Sequence, residues 1–435
     1  MYKTLEKKIK DRTAVVGVIG MGYVGLPLAV ELGREGFNII GIDINPHKVN
    51  LINSGKSDID DIKDEDLKPL VKSGKIKATT DFTSLKKADC VPICVPTPLS
   101  KTKDPDVSYI LAAVEQVQKY LHPGQLVILE STTYPGTTEE LILPMLEETG
   151  LKVGKDFFLA FSPERVDPGN IKYGTKNTPR VVGGTTPLCT QIAKLFYEQT
   201  MTQAVAVSST KSAEMVKLLE NTFRSVNIGL VNEVALMCDR LKIDVWEIID
   251  AANTKPFGFM PFYPGPGLGG HCIPIDPHYL SWKLKSLNYY ARFIELAGDI
   301  NSHMPEYVVE RISRALNGRK KSLRGSKILV LGVAYKRDIR DVRESPALDV
   351  IKLLQNDGAE VKYTDPHVPS IRMDDSVMKS VKLTKELLQS SDCVAIVTDH
   401  TTFDYDFIVQ NARLVMDTRN ATKKVKQNRD KIVKL

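Results

Sequence analysis

Residues 14–25, AVVGVIGMGYVG, join a short apolar run to three glycines in the spacing G-x-G-x-x-G. The run at 14–19 is apolar and bounded by glycine, which predicts a buried β-strand. Gly20, Gly22 and Gly25 then open a segment with a helical pattern. A strand, a glycine-rich loop and a helix in this order are typical of a dinucleotide-binding βαβ unit.

The second strand of this unit supports the same interpretation. The helical pattern continues to about Gly36, which suits a helix end, and FNIIGID then predicts a strand that ends at Asp43. An acid at this position accepts hydrogen bonds from ribose hydroxyls and repels a 2′-phosphate. We therefore predict that the protein binds NAD rather than NADP. The nearby Lys48 is the one feature that would favour NADP.

Each glycine of the loop has a separate physical role. Gly20 permits the tight turn, Gly22 lets the backbone approach a pyrophosphate, and Gly25 lets the helix pack closely on the strand. The free N–H groups of the helix N-terminus then bind the phosphates. The predicted cofactor-binding residues of the loop are Gly20, Met21, Gly22, Tyr23, Val24 and Gly25.

The chain outside this unit predicts an α/β protein with three domains. Strand-like runs at 89–95 and 125–130, with a helical pattern at 108–121, extend a parallel doubly wound sheet through a first domain at 1–211. Residues 212–317 are mainly helical and begin with one long helix. Residues 318–435 return to alternating strands and helices. We predict two Rossmann-like doubly wound domains joined by a helical central domain.

Composition excludes several classes of protein. The chain has 435 residues, a net charge of +6 and scattered lysines, so the basic tail at 423–434 predicts a solvated surface rather than nucleic-acid binding. No apolar run is long enough for a membrane span, and the charged N-terminus is not a secretory signal. Six cysteines in a chain of this length indicate reduced thiols and a cytoplasmic protein. Cys90 and Cys94 have no second ligand pair, and we expect no metal site.

Residues 264–277, PGPGLGGHCIPIDP, place Cys272 in a loop crowded with glycine and proline. By itself this stretch is equally compatible with an inert thiol in a tight turn. Lys217 and Asn221 share a face of the long helix because they are four residues apart. Hydroxyl residues follow the strand that ends at Leu129, and FSPERVDPG places Glu164 and Arg165 in a proline-bounded loop. Each of these could also be an ordinary surface or turn residue.

Taken together, these pieces resemble the UDP-glucose/GDP-mannose dehydrogenase family. The matching stretches, in the order of the family, are GVIGMGYVGLPLA, VPTP, ESTTYPGTT, FSPERVDPG, EMVKLLENTFRSVNIGLVNE, GPGLGGHCIPIDP and LGVAYKRDIRDVRESPA. They extend over nearly the whole chain. The resemblance implies NAD-dependent oxidation of a nucleotide sugar to its uronic acid, with the uridine diphosphate held by the third domain.

The resemblance also implies the roles of single residues. Cys272 is the nucleophile, Asp276 directs the hydrolytic water, and Lys217 with Asn221 stabilises the oxyanion. Thr132 and Glu164 belong to the water and proton network. Further cofactor contacts fall on Thr97, Thr132 and Arg343 besides Asp43 and Lys48. The implied substrate-binding residues are Glu164, Arg165, Val166, Lys217, Asn221, Tyr263, Gly269 and Lys336.

The chemistry of this oxidation suits such residues. A primary alcohol becomes a carboxylate through two hydride transfers, and a thiolate can hold the intermediate aldehyde as a thiohemiacetal and then a thioester. We expect the loop glycines to admit the sugar close to the backbone and the prolines to hold the thiol. The segment at 255–264 departs from the pattern of UDP-glucose enzymes, which favours UDP-N-acetylglucosamine. UDP-N-acetylmannosamine and UDP-glucose stay open.

Two other functions are compatible with parts of the sequence. A two-electron dehydrogenase acting on a hydroxy acid or an acyl-CoA needs the first domain but neither Cys272 nor the third domain. A non-catalytic NAD-binding scaffold would not need the set of Cys272, Lys217, Asn221 and Asp276. The long helix carries more apolar surface than one small sheet covers, so we expect a homodimer or a higher homo-oligomer.

Overall fold

The computed structural model describes residues 1–59, 61–99, 104–167, 169–170, 172–373 and 376–435. The chain forms two compact units. The first comprises Met1–Glu220 and His278–Tyr289, and the second comprises Asn221–Pro277 and Tyr290–Leu435. The division into three domains that the sequence predicts, at 1–211, 212–317 and 318–435, stays a prediction.

The first unit is built on an eight-stranded sheet with the strand order β3-β2-β1-β4-β5-β6-β7-β8. Its strands are β1 Val15–Ile19, β2 Asn38–Ile42, β3 Ile76–Thr79, β4 Cys90–Ile93, β5 Leu126–Leu129, β6 Phe158–Phe161, β7 Arg180–Gly184 and β8 Ala204–Ala206. All neighbouring strands are parallel except β6 and β7, which pair antiparallel. The expectation of a wholly parallel sheet is therefore wrong at this one pair.

The second unit contains a five-stranded parallel sheet with the order β10-β9-β13-β14-β15, and a separate hairpin of β11 and β12. These strands are β9 Lys327–Leu331, β10 Glu360–Thr364, β11 Ser370–Met373, β12 Ser376–Lys379, β13 Cys393–Ile396, β14 Val415–Asp417 and β15 Ile432–Lys434. The two sheets and the helices around them confirm the predicted fold class.

Fourteen α-helices are described along the chain. They are α1 Tyr2–Lys10, α2 Gly25–Arg34, α3 Pro46–Asn53, α4 Asp64–Lys72, α5 Ser108–Tyr120, α6 Leu143–Glu147, α7 Pro187–Glu198, α8 Thr210–Leu241, α9 Val245–Ala252, α10 Asp276–Lys285, α11 Arg292–Asn317, α12 Pro346–Asn356, α13 Lys385–Ser390 and α14 Tyr405–Asn411. Within this described part of the chain, no helix is both long enough and apolar enough to cross a bilayer.

The basic tail differs from the expected solvated surface. Most of residues 423–431 are exposed, but Ile432–Lys434 pair with β14 and the C-terminal Leu435 is buried. Lys434 also binds Asp244 at 2.7 Å. The alternation of charged and apolar residues at the end of the tail therefore produces an edge strand.

Candidate functional site

The glycine loop has the geometry that a dinucleotide requires. Gly20 has a φ of +87°, and a Cβ there would lie 2.6 Å from the carbonyl oxygen of Cys94. A Cβ on Gly25 would lie 1.9 Å from the carbonyl oxygen of Gly20. At Gly22, by contrast, a Cβ would meet nothing within 4 Å. Protein packing therefore explains two of the glycines, whereas the open space at Gly22 fits the approach of a pyrophosphate.

Asp43 ends β2 and helps to shape this loop. One carboxylate oxygen accepts the N–H of Met21 at 3.0 Å, and the other accepts the N–H of Asn45 at 2.9 Å. Lys48 forms an ion pair with Asp58 at 3.0 Å. The cation that could have favoured a 2′-phosphate therefore already faces a carboxylate.

The carboxyl ends of β4, β5 and β6 carry the other predicted residues of the first unit. Thr97 follows β4, and its carbonyl oxygen accepts the hydroxyl of Tyr279 at 2.9 Å. Thr132 follows β5 and is half-buried, and Glu164 follows β6. A doubly wound sheet binds its ligands at this edge.

The predicted residues Glu164, Arg165 and Val166 form one hydrogen-bonded turn. Glu164 Oε1 accepts the N–H groups of Arg165 at 2.7 Å and of Val166 at 2.9 Å. The guanidinium of Arg165 points elsewhere, to Glu220 at 2.5 Å and to the carbonyl oxygen of Pro179 at 2.6 Å. The side chain of Arg165 therefore already neutralises a carboxylate.

Two residues that sequence reasoning missed lie next to Glu164. Arg180, at the start of β7, donates to Glu164 Oε2 at 2.8 Å and also to Glu130, which follows β5. The available signal in the sequence was that each residue adjoins an apolar strand run: Arg180 begins β7, and Glu130 follows β5. That signal cannot show that the two residues face the same carboxylate.

Lys217 and Asn221 lie on one face of α8, as their spacing predicted. The side chain of Lys217 is only 8% exposed, and no hydrogen bond or ion pair to it exists within the described ranges. Asn221 Nδ2 donates to Asp276 Oδ2, and both residues are buried. Lys217 is thus a largely buried residue with free donors, whereas the side chain of Asn221 is engaged with a second predicted residue.

The thiol loop leads directly into α10. The carbonyl oxygen of Cys272 accepts the N–H of Ile275 at 3.1 Å and of Asp276 at 2.8 Å. Cys272 therefore lies within one turn of the helix N-terminus, whose positive end stabilises an anion. Asp276 is therefore bound at two points: its backbone N–H donates to the carbonyl oxygen of Cys272, and its carboxylate accepts from Asn221.

The glycines of this loop are required by packing and backbone conformation within the second unit. A Cβ on Gly265 would lie 2.5 Å from the guanidinium of Arg419, and a Cβ on Gly269 would lie 2.6 Å from Cβ of Tyr335. Gly267 and Gly270 have φ values of +131° and +85°. That the same glycines also admit a sugar stays a prediction.

The remaining predicted residues of the second unit are placed as follows. The hydroxyl of Tyr263 donates to Asp250 at 2.6 Å, and its ring stacks on Trp246 at 5.7 Å between centroids. Arg343 forms an ion pair with Asp341 at 2.6 Å, and Lys336 is half-buried. Arg343 belongs to the second unit, whereas the glycine loop belongs to the first.

The cysteines differ sharply in exposure. Cys272 is half-buried, and the other five are buried, at 90, 94, 189, 238 and 393. Burial raises the pKa of the thiols of Cys90, Cys94 and Cys238, and raises that of Cys393 to about 12. These four thiols are therefore poor nucleophiles at neutral pH.

One group of side chains outside the predicted residues has potential metal ligands. Asp338, His367 and His400 each bring a ligand atom within 4.8 Å of the others. However, Nδ1 of His400 accepts the N–H of Asp338 at 3.0 Å, and its Nε2 faces Asp365 at 3.0 Å. Because both ring nitrogens of His400 are hydrogen-bonded, we interpret the group as a structural contact that links two loops.

Comparison with known proteins decides the family. The NAD binding, central and UDP binding domains of the UDP-glucose/GDP-mannose dehydrogenase family match residues 14–201, 211–303 and 329–424. The chain belongs to this family. It is therefore an NAD-dependent nucleotide-sugar dehydrogenase, and its third matching domain is the one that binds UDP in the family.

Similar members of the family act on N-acetylated sugars. A UDP-N-acetyl-D-mannosamine dehydrogenase of Methanococcus maripaludis is 36% identical, covering 93% of this chain and 92% of its own. A UDP-N-acetyl-D-glucosamine 6-dehydrogenase of Pseudomonas aeruginosa is 37% identical, covering 81% and 83%. The solved UDP-D-ManNAc dehydrogenase of Pyrococcus horikoshii superposes with a TM-score of 0.86 at 35% identity, covering 95% and 96%.

The position of Asp43 leads to a test of cofactor choice in this dehydrogenase. Asp43→Asn keeps one acceptor oxygen, which can bind the N–H group of either Met21 or Asn45, and removes the negative charge. We expect kcat/KM for NAD to fall roughly tenfold to hundredfold, since a hydrogen bond to a charged group contributes about 1.5–3 kcal/mol. The preference for NAD over NADP should narrow, measured by NADH and NADPH formation. An unchanged ratio would remove Asp43 from the ribose site.

Proposed function

We propose that the protein oxidises the C6 hydroxymethyl group of a UDP-N-acetylhexosamine to the carboxylate, through a thioester on Cys272. The hydrogen-bonded group of Asn221, Asp276 and Cys272 is the observation that supports this proposal most directly. It brings an amide donor and a carboxylate together on a residue whose backbone N–H binds the carbonyl oxygen of Cys272, one helical turn from the thiol-bearing residue. A two-electron dehydrogenase has no use for this combination.

NAD would supply the oxidising power, as the acceptor for the two hydrides that C6 loses. The residues that would hold it are the glycine loop and Asp43. In the first unit, the fit rests on the open space at Gly22 and on the start of α2, which no side chain caps. Thr97 and Thr132 lie at the same edge of the sheet.

The side chains of the enzyme carry out the remaining steps. The Cys272 thiolate adds to the aldehyde formed by the first oxidation and gives a thiohemiacetal. The second oxidation leaves a thioester. Water then attacks C6, the C–S bond breaks with its electron pair on sulfur, and the two protons of the water are released as the carboxylate and the free thiolate form.

Lys217 and Asn221 have the donors that the developing oxyanion needs. The ammonium group of Lys217 has no carboxylate partner within the described residues. A negative oxygen at C6 would supply an anionic partner, and it would be attracted more strongly in the charged intermediates than in the alcohol. Lys217 therefore acts on the reaction rather than on the fold.

The sugar is the finer part of the proposal. The segment at 255–264 favours UDP-N-acetylglucosamine, whereas the relatives from Methanococcus maripaludis and Pyrococcus horikoshii favour UDP-N-acetylmannosamine as the second candidate. Both share the 2-acetamido group. Recognition of that group distinguishes either candidate from UDP-glucose.

One spectrophotometric assay tests both the sugar and the reaction type. We expect kcat/KM to be highest for UDP-N-acetylglucosamine, with two NADH formed for each sugar consumed. A higher value for UDP-N-acetylmannosamine would select the second candidate, and a higher value for UDP-glucose would reject the N-acetyl assignment. One NADH per sugar would indicate a two-electron dehydrogenase, and none would indicate a scaffold.

The quaternary state expected from the sequence also belongs to this proposal. Large apolar side chains of α8 are exposed, namely Met215, Leu219, Phe223, Leu230, Met237 and Leu241. A second copy of the chain would remove this surface from water. A cytoplasmic homodimer or higher homo-oligomer therefore remains our expectation.

A further inference from the structure

Arg180 is one of the most deeply buried charged residues described in the first unit. Only 2% of it is exposed, although it stands at the start of a β-strand. Its guanidinium donates to two carboxylates, Glu164 Oε2 at 2.8 Å and Glu130 Oε2. One cation therefore bridges two acids that follow neighbouring strands.

The guanidinium is fixed from several sides. It lies 5.1 Å from the ring centroid of Tyr197, and it donates to the carbonyl oxygen of Pro163 at 3.3 Å. The hydroxyl of Tyr197 donates to Glu130 Oε1 at 2.5 Å. Glu130 is thus anchored at both oxygens and holds Arg180 from the side opposite Glu164.

Such an arrangement is poorly explained by stability. Removing three charges from water is costly, and a buried ion pair is often no more stable than apolar residues of the same volume. Burial raises the pKa of Glu130 despite its contact with Arg180. The cluster therefore carries an energetic cost that a purely structural role does not require.

Glu164 is the member of the cluster that can act on a ligand. Although burial acts in the opposite direction, the charge of Arg180 and the N–H groups of Val166 and Arg165 hold the pKa of Glu164 below its usual range. These contacts occupy three of about four acceptor sites of a carboxylate, which leaves one for a water molecule.

We infer that Arg180 is a positioning residue: it holds the Glu164 carboxylate in place and ionised, so that Glu164 orients the water that hydrolyses the thioester. The inference rests on the proposed function, in which Glu164 belongs to the water network. The other titratable groups around Glu164 are Glu130 after β5, Tyr197 on α7 and Cys94 after β4. All of them belong to the first unit.

Two altered enzymes test the inference. Arg180→Lys keeps the charge but cannot donate to both carboxylates as a planar fork does. The double variant Arg180→Met with Glu130→Gln removes the cation together with the acid behind it, so that no second buried carboxylate faces Glu164. Tyr197→Phe is the matched control, because it changes the same cluster at a contact that Glu164 does not make.

The expected results separate positioning from folding. Both altered enzymes should release a rapid burst of two NADH per site, followed by a steady rate about tenfold to hundredfold lower than in the wild type. Acylated Cys272 should accumulate and be visible by mass spectrometry of the intact protein. In the double variant, the acid limb of the steady-state rate should move up by about 1–3 pH units, since Glu164 has lost its counter-charge. In the Tyr197→Phe control, the acid limb of the steady-state rate should stay at the wild-type pH.

Other results would overturn the inference. If the burst disappears with the steady rate, or if the acid limb of the double variant stays in place, Arg180 has only a structural role. If the double variant fails to fold, Arg180→Lys decides alone, and a steady rate within twofold of the wild type refutes the positioning role. Failure of the proposed function is visible separately, because the wild-type enzyme would then not form two NADH per sugar.

Discussion

Cys272→Ser is expected to abolish the four-electron oxidation, with no detectable formation of two NADH per sugar. A serine hydroxyl is far less ionised than a thiol at neutral pH and does not readily add to the intermediate aldehyde. The fold should survive, because exchanging sulfur for oxygen in a half-buried loop changes little volume. Activity would be measured as NADH formed per UDP-sugar, and folding by circular dichroism and thermal unfolding.

Alkylation provides an independent measurement on the unaltered enzyme. Iodoacetamide should modify Cys272 rapidly and the five buried cysteines slowly, and bound UDP-sugar should protect Cys272. Cys238→Ala is the control, since Cys238 is buried in α8 and the variant should retain both the fast labelling and the activity. Near-normal turnover of Cys272→Ser, at two NADH per sugar, would refute the thioester route.

Lys217→Met should lower kcat about 100- to 1,000-fold while leaving the protein as stable as before or more so. Loss of one oxyanion donor has an effect of this size in other enzymes, about 2.7–4 kcal/mol. Stability should not fall, because the ammonium group makes no hydrogen bond or ion pair in the described part of the chain. Methionine fills a similar space, so the packing of the largely buried residue is kept.

Two quantities test this prediction in Lys217→Met and in its control: kcat and the midpoint of thermal unfolding. Lys211→Met on the same helix is the matched control. Lys211 is half-exposed, and its contacts with Glu139 and Glu140 are 3.6 and 3.5 Å long, so kcat and stability should both change little. A loss of activity accompanied by an equal loss of stability in Lys217→Met would contradict the oxyanion role and make the lysine a structural residue.

Local patterns were sufficient for a large part of the fold. The strand at β1, the glycine turn, α2 and β2 are all confirmed, since the positive φ of Gly20 and the close approach of Gly25 to the carbonyl oxygen of Gly20 are local features of the turn. The long helix was expected at about 212–241 and is found at Thr210–Leu241. An uninterrupted 3.6-residue apolar period decides such an element without long-range contacts.

Such local patterns could not predict which distant strands pair with each other. The antiparallel contact of β6 with β7 is not encoded in either strand, and β15 arises from a tail whose charges predicted a solvated surface. A strand gains its hydrogen bonds only from a neighbour. Its pairing therefore depends on which element the chain brings alongside it.

The candidate site also has one part that the sequence predicted and another part that only the structure shows. The sequence by itself determined the nucleotide-binding loop, the family and the candidate residues Cys272, Lys217 and Asp276, because residue type and spacing along one segment carry those signals. Only the tertiary structure decided that Asn221 bonds to Asp276, that Lys217 is buried without a partner, and that Arg180 bridges Glu130 and Glu164. Arg180 and Glu130 are 50 residues apart. The physical reason is that burial and ion pairing depend on separate segments packing together, so neither a spacing nor a motif can report them.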